Sequence, residues 1–127
     1  MKIDFSTSFP IYLQIINGFK RKAAVGELVP GQKIPSQREL AAELKVNVNT
    51  VQRAYREMEN LGLVRTLRGQ GTYMTEDESL VGQLRTEMLK NVVNDFLAAM
   101  AALGYGDEDI LELVRTGMRQ KNGGEVR

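Results

Sequence analysis

Pro30-Gly31-Gln32-Lys33-Ile34-Pro35-Ser36-Gln37-Arg38-Glu39-Leu40, then Val46-Asn47-Val48-Asn49-Thr50-Val51-Gln52-Arg53-Ala54-Tyr55, and finally Arg68-Gly69-Gln70-Gly71-Thr72-Tyr73 decide the fold. Pro30-Gly31 marks a turn, and Lys33-Ile34 reads as a short strand before Pro35. Ser36-Gln37-Arg38-Glu39 is a capping box, in which the serine hydroxyl takes the Glu39 N–H and the glutamate reaches back. The helix it opens turns Leu40, Ala41 and Leu44 inward. Lys45-Val46 makes a turn, and Asn47 caps a further helix by accepting a backbone N–H. At 100° per residue Val51, Ala54, Tyr55, Met58 and Leu61 fall on one side and face the core. Gly62 stops that helix. Leu63–Leu67 and Thr72–Thr75 then read as two strands around Arg68-Gly69-Gln70-Gly71. Two capped helices joined by a tight turn and followed by a basic hairpin make a winged helix-turn-helix.

Opposite the core side, Asn49, Gln52, Arg53 and Arg56 gather into a stripe without a carboxylate. A merely solvated face would more often mix Glu with Lys. Arginine can bond guanine O6 and N7 together, and asparagine or glutamine does the same for adenine N6 and N7. Thr50 points sideways, where its hydroxyl suits a phosphate. Arg38 sits in the first turn of its helix, where the macrodipole disfavours a cation, so a phosphate there would explain it. Arg65 and Arg68 bring positive charge to the hairpin, and its glycines permit close backbone approach. Such a tip suits a narrow minor groove.

Ahead of this stretch, Ile11, Ile15, Phe19 and Ala23 recur at helical spacing, with Tyr12 and Ile16 widening the apolar stripe. Pro10 is expected in the first turn, Gly18 is a weak point inside the helix, and Gly26 supplies its stop. This helix reads as scaffold beneath the reader.

The chain has 127 residues, enough for one compact domain or a small domain with an appended element. Its net charge of +1 is unevenly spread. Residues 1–75 carry 11 Lys or Arg against 6 Asp or Glu, a net +5, whereas residues 76–127 carry 6 against 10, a net −4. A basic front and an acidic back suit a polyanion-binding module tied to something that stays off the polyanion. There is no His and no Cys. That removes Ser-His and Cys-His nucleophile pairs and a zinc site, so an enzyme is not expected and no cofactor is called for. The lack of cysteine fits a reducing cytosol. Neither an apolar run long enough for a membrane nor an export signal is visible.

In the acidic half, Glu76-Asp77-Glu78-Ser79 places carboxylates at the start of a long helix. Leu80, Leu84, Met88, Val92, Phe96, Met100 and Leu103 recur along it, broadened by Leu89, Val93 and Leu97. Gly104-Tyr105-Gly106 breaks it, and Asp107-Glu108-Asp109 opens a fifth helix with Ile110, Leu111, Leu113, Val114 and Met118 on its apolar face. Asn122–Arg127 is expected to fray. The expected organisation is a winged domain over residues 1–75 and a C-terminal α-helical hairpin for dimerisation over 76–127. Such a hairpin carries more apolar surface than it can hide in itself, and the same hairpin of a second subunit is its natural cover. The competing reading packs these helices back on the winged domain as monomer core. A deep metabolite pocket is hard to build in so short a segment. A small-molecule effector at the dimer interface would meet Met88, Phe96 and Met100, although core packing explains those three better.

Residues 10–75 resemble the DNA-binding domain of the GntR family of bacterial transcription regulators, and the whole chain resembles its short YtrA-type subfamily. The resemblance is carried by Pro10-Ile11-Tyr12-Leu13-Gln14-Ile15, Pro30-Gly31, Pro35-Ser36-Gln37-Arg38-Glu39-Leu40-Ala41, Asn49-Thr50-Val51, Ala54-Tyr55 and Arg68-Gly69-Gln70-Gly71-Thr72. It implies a dimeric, cytoplasmic repressor on a double-stranded operator, sometimes that of its own transporter-encoding operon. It also implies that Arg38 meets phosphate or groove, that Asn47, Asn49, Thr50, Gln52 and Arg53 lie where the third helix meets the operator, and that Arg68-Gly69 enters the minor groove. Val48 replaces a frequent proline, and Tyr73 stands where phenylalanine is commoner. The alternative is a winged-helix protein-interaction module without sequence-specific DNA binding. The uncluttered Asn49/Gln52/Arg53/Arg56 face argues against it.

Overall fold

The structure, a computed structural model, describes Met1–Glu125. Among these residues five helices and a small three-stranded sheet follow in the order α1 (Ile11–Ala24), β1 (Lys33–Ile34), α2 (Gln37–Leu44), α3 (Val48–Asn60), β2 (Val64–Leu67), β3 (Gly71–Met74), α4 (Glu78–Ala102) and α5 (Asp107–Glu125). The fold is mainly α with a β wing, as the sequence implies. The chain divides into two compact units, Met1–Thr86 and a second beginning at Glu87. The first unit thus takes in the opening turns of α4, past the boundary expected at Thr75.

Pro10 caps α1 rather than entering its first turn, because its ψ of 142° is still extended. Its carbonyl accepts the N–H groups of Leu13 and Gln14, so the proline closes the helix start without needing an N–H of its own. Two further features of α1 are tertiary. A Cβ on Gly18 would stand 3.3 Å from Ile3 Cδ1, so the bare glycine is where the N-terminal arm lies against the helix. The buried Gln14 amide holds the same arm: Oε1 accepts the Ser6 N–H, and Nε2 donates to the carbonyls of Ser6 and Phe9, each at 2.8 Å.

The caps of α2 and α3 form as their sequences require. Ser36 Oγ accepts the Glu39 N–H while Glu39 accepts the Ser36 N–H. The Ser36 N–H, helped by the Ser36 hydroxyl, holds the exposed Glu39 carboxyl below the ordinary glutamate range. Lys45 turns the chain with a left-handed φ of 58°, and Asn47 Oδ1 accepts the Asn49 N–H at 2.7 Å.

Ile15, Ile16 and Phe19 of α1, Leu40 and Ala41 of α2, and Val51, Ala54, Tyr55 and Met58 of α3 close on Ile34, Leu63, Val64 and Met74 to form the core. Phe19 meets Tyr55 edge to face, with centroids 6.0 Å apart. Leu61 is not in this core but half exposed. Helix α3 ends at Asn60, and the chain turns through Gly62 at a φ of 77°, which sends Leu63 inward in its place. Ile11 also sits on the exposed rim.

The Tyr55 hydroxyl donates to the Pro35 carbonyl at 2.6 Å, tying α3 to the entry of α2, and burial raises its pKa well above the ordinary tyrosine range. Tyr55→Phe is expected to cost about 1 kcal/mol by removing that bond. For a domain of this size that corresponds to a fall in melting temperature of roughly 4–8 °C. An unchanged melting curve by circular dichroism would show the bond to be worth nothing.

The sheet runs β1-β3-β2, all antiparallel, so Lys33-Ile34 joins the hairpin as a third strand. Asp77 caps α4 by accepting the Ser79 and Leu80 N–H groups. Leu84 packs half-buried against the winged core, and Arg85 Nε donates to the Ala24 carbonyl at 2.8 Å.

Beyond Thr86 the helices bury little of themselves. Val92 is 66% exposed and Leu103 72%, and Phe96 and Leu111 are also exposed. Met88, Met100 and Val114 are half-buried, and Ile110 is buried. Among the described residues α4 and α5 follow one another through the Leu103–Gly106 turn. Helix α5 runs to Glu125, so Asn122–Glu125 are helical where fraying was expected. Gly123 and Gly124 disfavour the helix by about 1 kcal/mol each but do not forbid it. Val126 and Arg127 lie outside the described residues.

Candidate nucleic-acid interface

Asn49, Gln52, Arg53 and Arg56 are all exposed along one side of α3. They stand out because the opposite side is filled by Val51, Ala54, Tyr55 and Met58, none more than 1% exposed. The core therefore fixes which edge of the helix faces outward. Thr50 is half-buried beside the stripe. Asn47 is exposed, but its side-chain oxygen is committed to the cap. Its first task is thus to start α3, and its amide N–H groups remain free of that bond.

Arg53 alone in the stripe has a side-chain partner among the described residues. Its guanidinium carbon lies 3.9 Å from the centroid of the Tyr12 ring, and Nη2 donates to the Tyr12 hydroxyl at 3.2 Å. Tyr12 packs half-buried against the core, as expected of a residue widening the apolar stripe, and also meets Arg53 of α3.

Arg38 is exposed in the first turn of α2, on one wall of a groove of about 500 Å³. Lys33, Ser36, Gln37 and Glu39 line it too, together with the wing residues Thr66, Leu67, Gly69, Gln70, Gly71 and Thr72. Arg68 and Gly69 lie at the wing tip, where Gly69 has a φ of 77° and the Gln70 N–H closes the turn onto the Leu67 carbonyl. Thr66 donates to the Glu59 carboxylate, tying the wing to α3.

Lys33 was not legible as a site residue. Register places Lys33 opposite Tyr73, and Tyr73 opposite Arg65, so the three form a row across the sheet. Ile34 and Thr72 are buried, so this row takes the outer face. A Cβ on Gly71 would come within 2.7 Å of Lys33 Cε, so glycine makes room for the lysine stem. The alternation of exposed Lys33 with buried Ile34 is the only signal the sequence held. No group of His, Cys, Asp and Glu able to hold a metal occurs among the described residues.

The description of bacterial regulatory proteins of the gntR family matches residues 11–74, from the first residue of α1 to the last of β3. The chain belongs to that family. Along nearly its whole length it is similar to two regulators of Bacillus subtilis (strain 168). It is 44% identical to the HTH-type transcriptional regulator YhcF over 91% of this chain and 96% of that one. It is 35% identical to the HTH-type transcriptional repressor YtrA over 98% and 97%. Among solved structures, a GntR family transcriptional regulator from Listeria monocytogenes superposes with a TM-score of 0.80 at 38% identity, covering 88% of this chain and 98% of that one. The DNA-binding domain of AraR in complex with operator ORE1 matches with a TM-score of 0.51 at 26% identity, over 59% of this chain and 94% of that one. The gntR family and these relatives are transcriptional regulators, not enzymes. No helix among the described residues is long and apolar enough to cross a membrane.

Proposed function

We propose that this gntR-family chain is a cytoplasmic, dimeric repressor that reads an inverted-repeat operator, with a transporter-encoding operon of its own as the expected target. The observation that carries the reading is the stripe Asn49, Gln52, Arg53 and Arg56, held outward on α3 by its buried side and free of carboxylates. In this reading α3 lies in the major groove and its four amide and guanidinium groups meet base edges. Arg38, Thr50 and the amide of Asn47 meet phosphates, joined by Lys33 from the groove wall. Arg68 and Gly69 follow the minor groove.

Two copies would join through the apolar residues that the second unit leaves exposed, Val92, Phe96 and Leu103 among them, with Met88 and Met100. Burying these against a second copy follows from their cost in water. Leu84 belongs to this set through the surface it keeps, being only half-buried against the winged core. A small effector would have to bind between subunits, beside Phe96.

The test is a titration against duplexes selected by the protein from a randomised pool, at several salt concentrations, beside a scrambled duplex. Phosphate neutralisation gives a steep fall of affinity with salt. A protein-interaction module would select no sequence. Arg38→Ala is expected to weaken binding to every duplex and to reduce the salt slope by about 1. An unchanged slope would remove Arg38 from the phosphate contacts.

A further inference from the structure

We propose that Tyr12 is a positioning residue of the recognition surface, setting the plane in which the Arg53 guanidinium meets a base pair. The proposal rests on the reading of α3 as the base-reading helix. Tyr12 belongs to α1 and Arg53 to α3, 41 residues apart in sequence, and two contacts join them. The guanidinium lies 3.9 Å over the tyrosine ring, and its Nη2 donates to the hydroxyl at 3.2 Å. One contact fixes how far the guanidinium stands from the ring, and the other fixes which of its nitrogens faces the hydroxyl.

That combination suits a reader and not a mere surface pair. A guanidinium carries five N–H donors in its plane. The ring shields one side of the guanidinium, and the hydroxyl takes one donor. The others stay on the rim, where guanine O6 and N7 would be met. A free arginine side chain loses considerable rotamer freedom on binding, and a stacked one has lost much of it beforehand. No carboxylate pairs with Arg53 among the described residues, so its charge stays available to DNA. Asn49, Gln52 and Arg56 have no such support in the same residues, which marks Arg53 as the pre-set member of the stripe.

The test is a double-mutant cycle on full-length protein, using a duplex that the wild type selects from a randomised pool and a scrambled duplex. Tyr12→Leu is expected to weaken the selected duplex by about 3- to 30-fold, the range of a cation–π contact. It should leave the scrambled duplex unchanged and cause no further loss when Arg53 is already alanine. Tyr12→Phe, which keeps the ring, should recover most of the affinity. Loss of equal size with and without Arg53 would overturn the proposal and leave Tyr12 as a direct backbone contact. Unchanged or tighter binding by Tyr12→Leu would overturn it too, the latter by showing that the ring holds Arg53 off DNA. If Arg53→Ala alone binds and selects like the wild type, the reading of α3 fails first, and the single mutant shows it separately. Thermal melting monitors folding, and Tyr12→Gln replaces Tyr12→Leu in the cycle if the leucine variant melts early.

Discussion

Truncation after Thr86 is expected to leave a folded monomer that binds its inverted-repeat operator about 10²- to 10⁴-fold more weakly than the full chain. The winged unit holds its own core, from Ile15 and Phe19 through Tyr55 to Met74. Ending at Thr86 also keeps Leu84 on that core and Arg85 on the Ala24 carbonyl. Ending at Thr75 removes both contacts and confuses a stability loss with an affinity loss. What the longer truncation removes is the exposed apolar length from Leu89 to Met118. In a two-fold dimer two recognition helices stand about 34–36 Å apart, one turn of DNA. Once one has bound, the other is at high local concentration, and the monomer forfeits that gain without losing any base contact. Sedimentation and titration on whole and half operators check both parts. A truncated protein that still dimerises, or that keeps full affinity for the whole operator, would mean that the second unit does not assemble the reader.

Arg53→Ala is expected to cost about 1–3 kcal/mol on the selected operator, roughly 5- to 150-fold, and to relax preference at one base pair. Arg53 is exposed, and its partner Tyr12 is held in place by the rest of α1, so the substitution should leave the melting temperature nearly unchanged. Its signature differs from that of Arg38→Ala. A base contact alters which duplexes are chosen, whereas a phosphate contact alters how tightly all of them are held. Repeating the selection with the variant and comparing the chosen sequences reads this directly. Identical sequences bound with equal strength would take Arg53 out of base reading and leave Gln52 and Arg56 to carry it.

Elements that rest on local chemistry can be read directly from residue types along the chain. Ser36 with Glu39, Asn47 before Val48, and the glycines around the hairpin act within one turn of their own positions, so their residue types sufficed. The inward and outward sides of α3 followed from 3.6-residue periodicity, and with them the candidate stripe. Whatever depends on where one element lies against another emerges from the packed fold alone. That fold lays Arg53 on Tyr12, sets Lys33 across Gly71 in line with Tyr73 and Arg65, and packs one side of Leu84 against the winged core. It also exchanges Leu61 for Leu63 at the end of α3. The physical reason is the same in each case. A guanidinium over a tyrosine ring or a lysine stem over a glycine leaves no periodic trace along the chain, because core packing sets the helix and strand positions that bring such partners together.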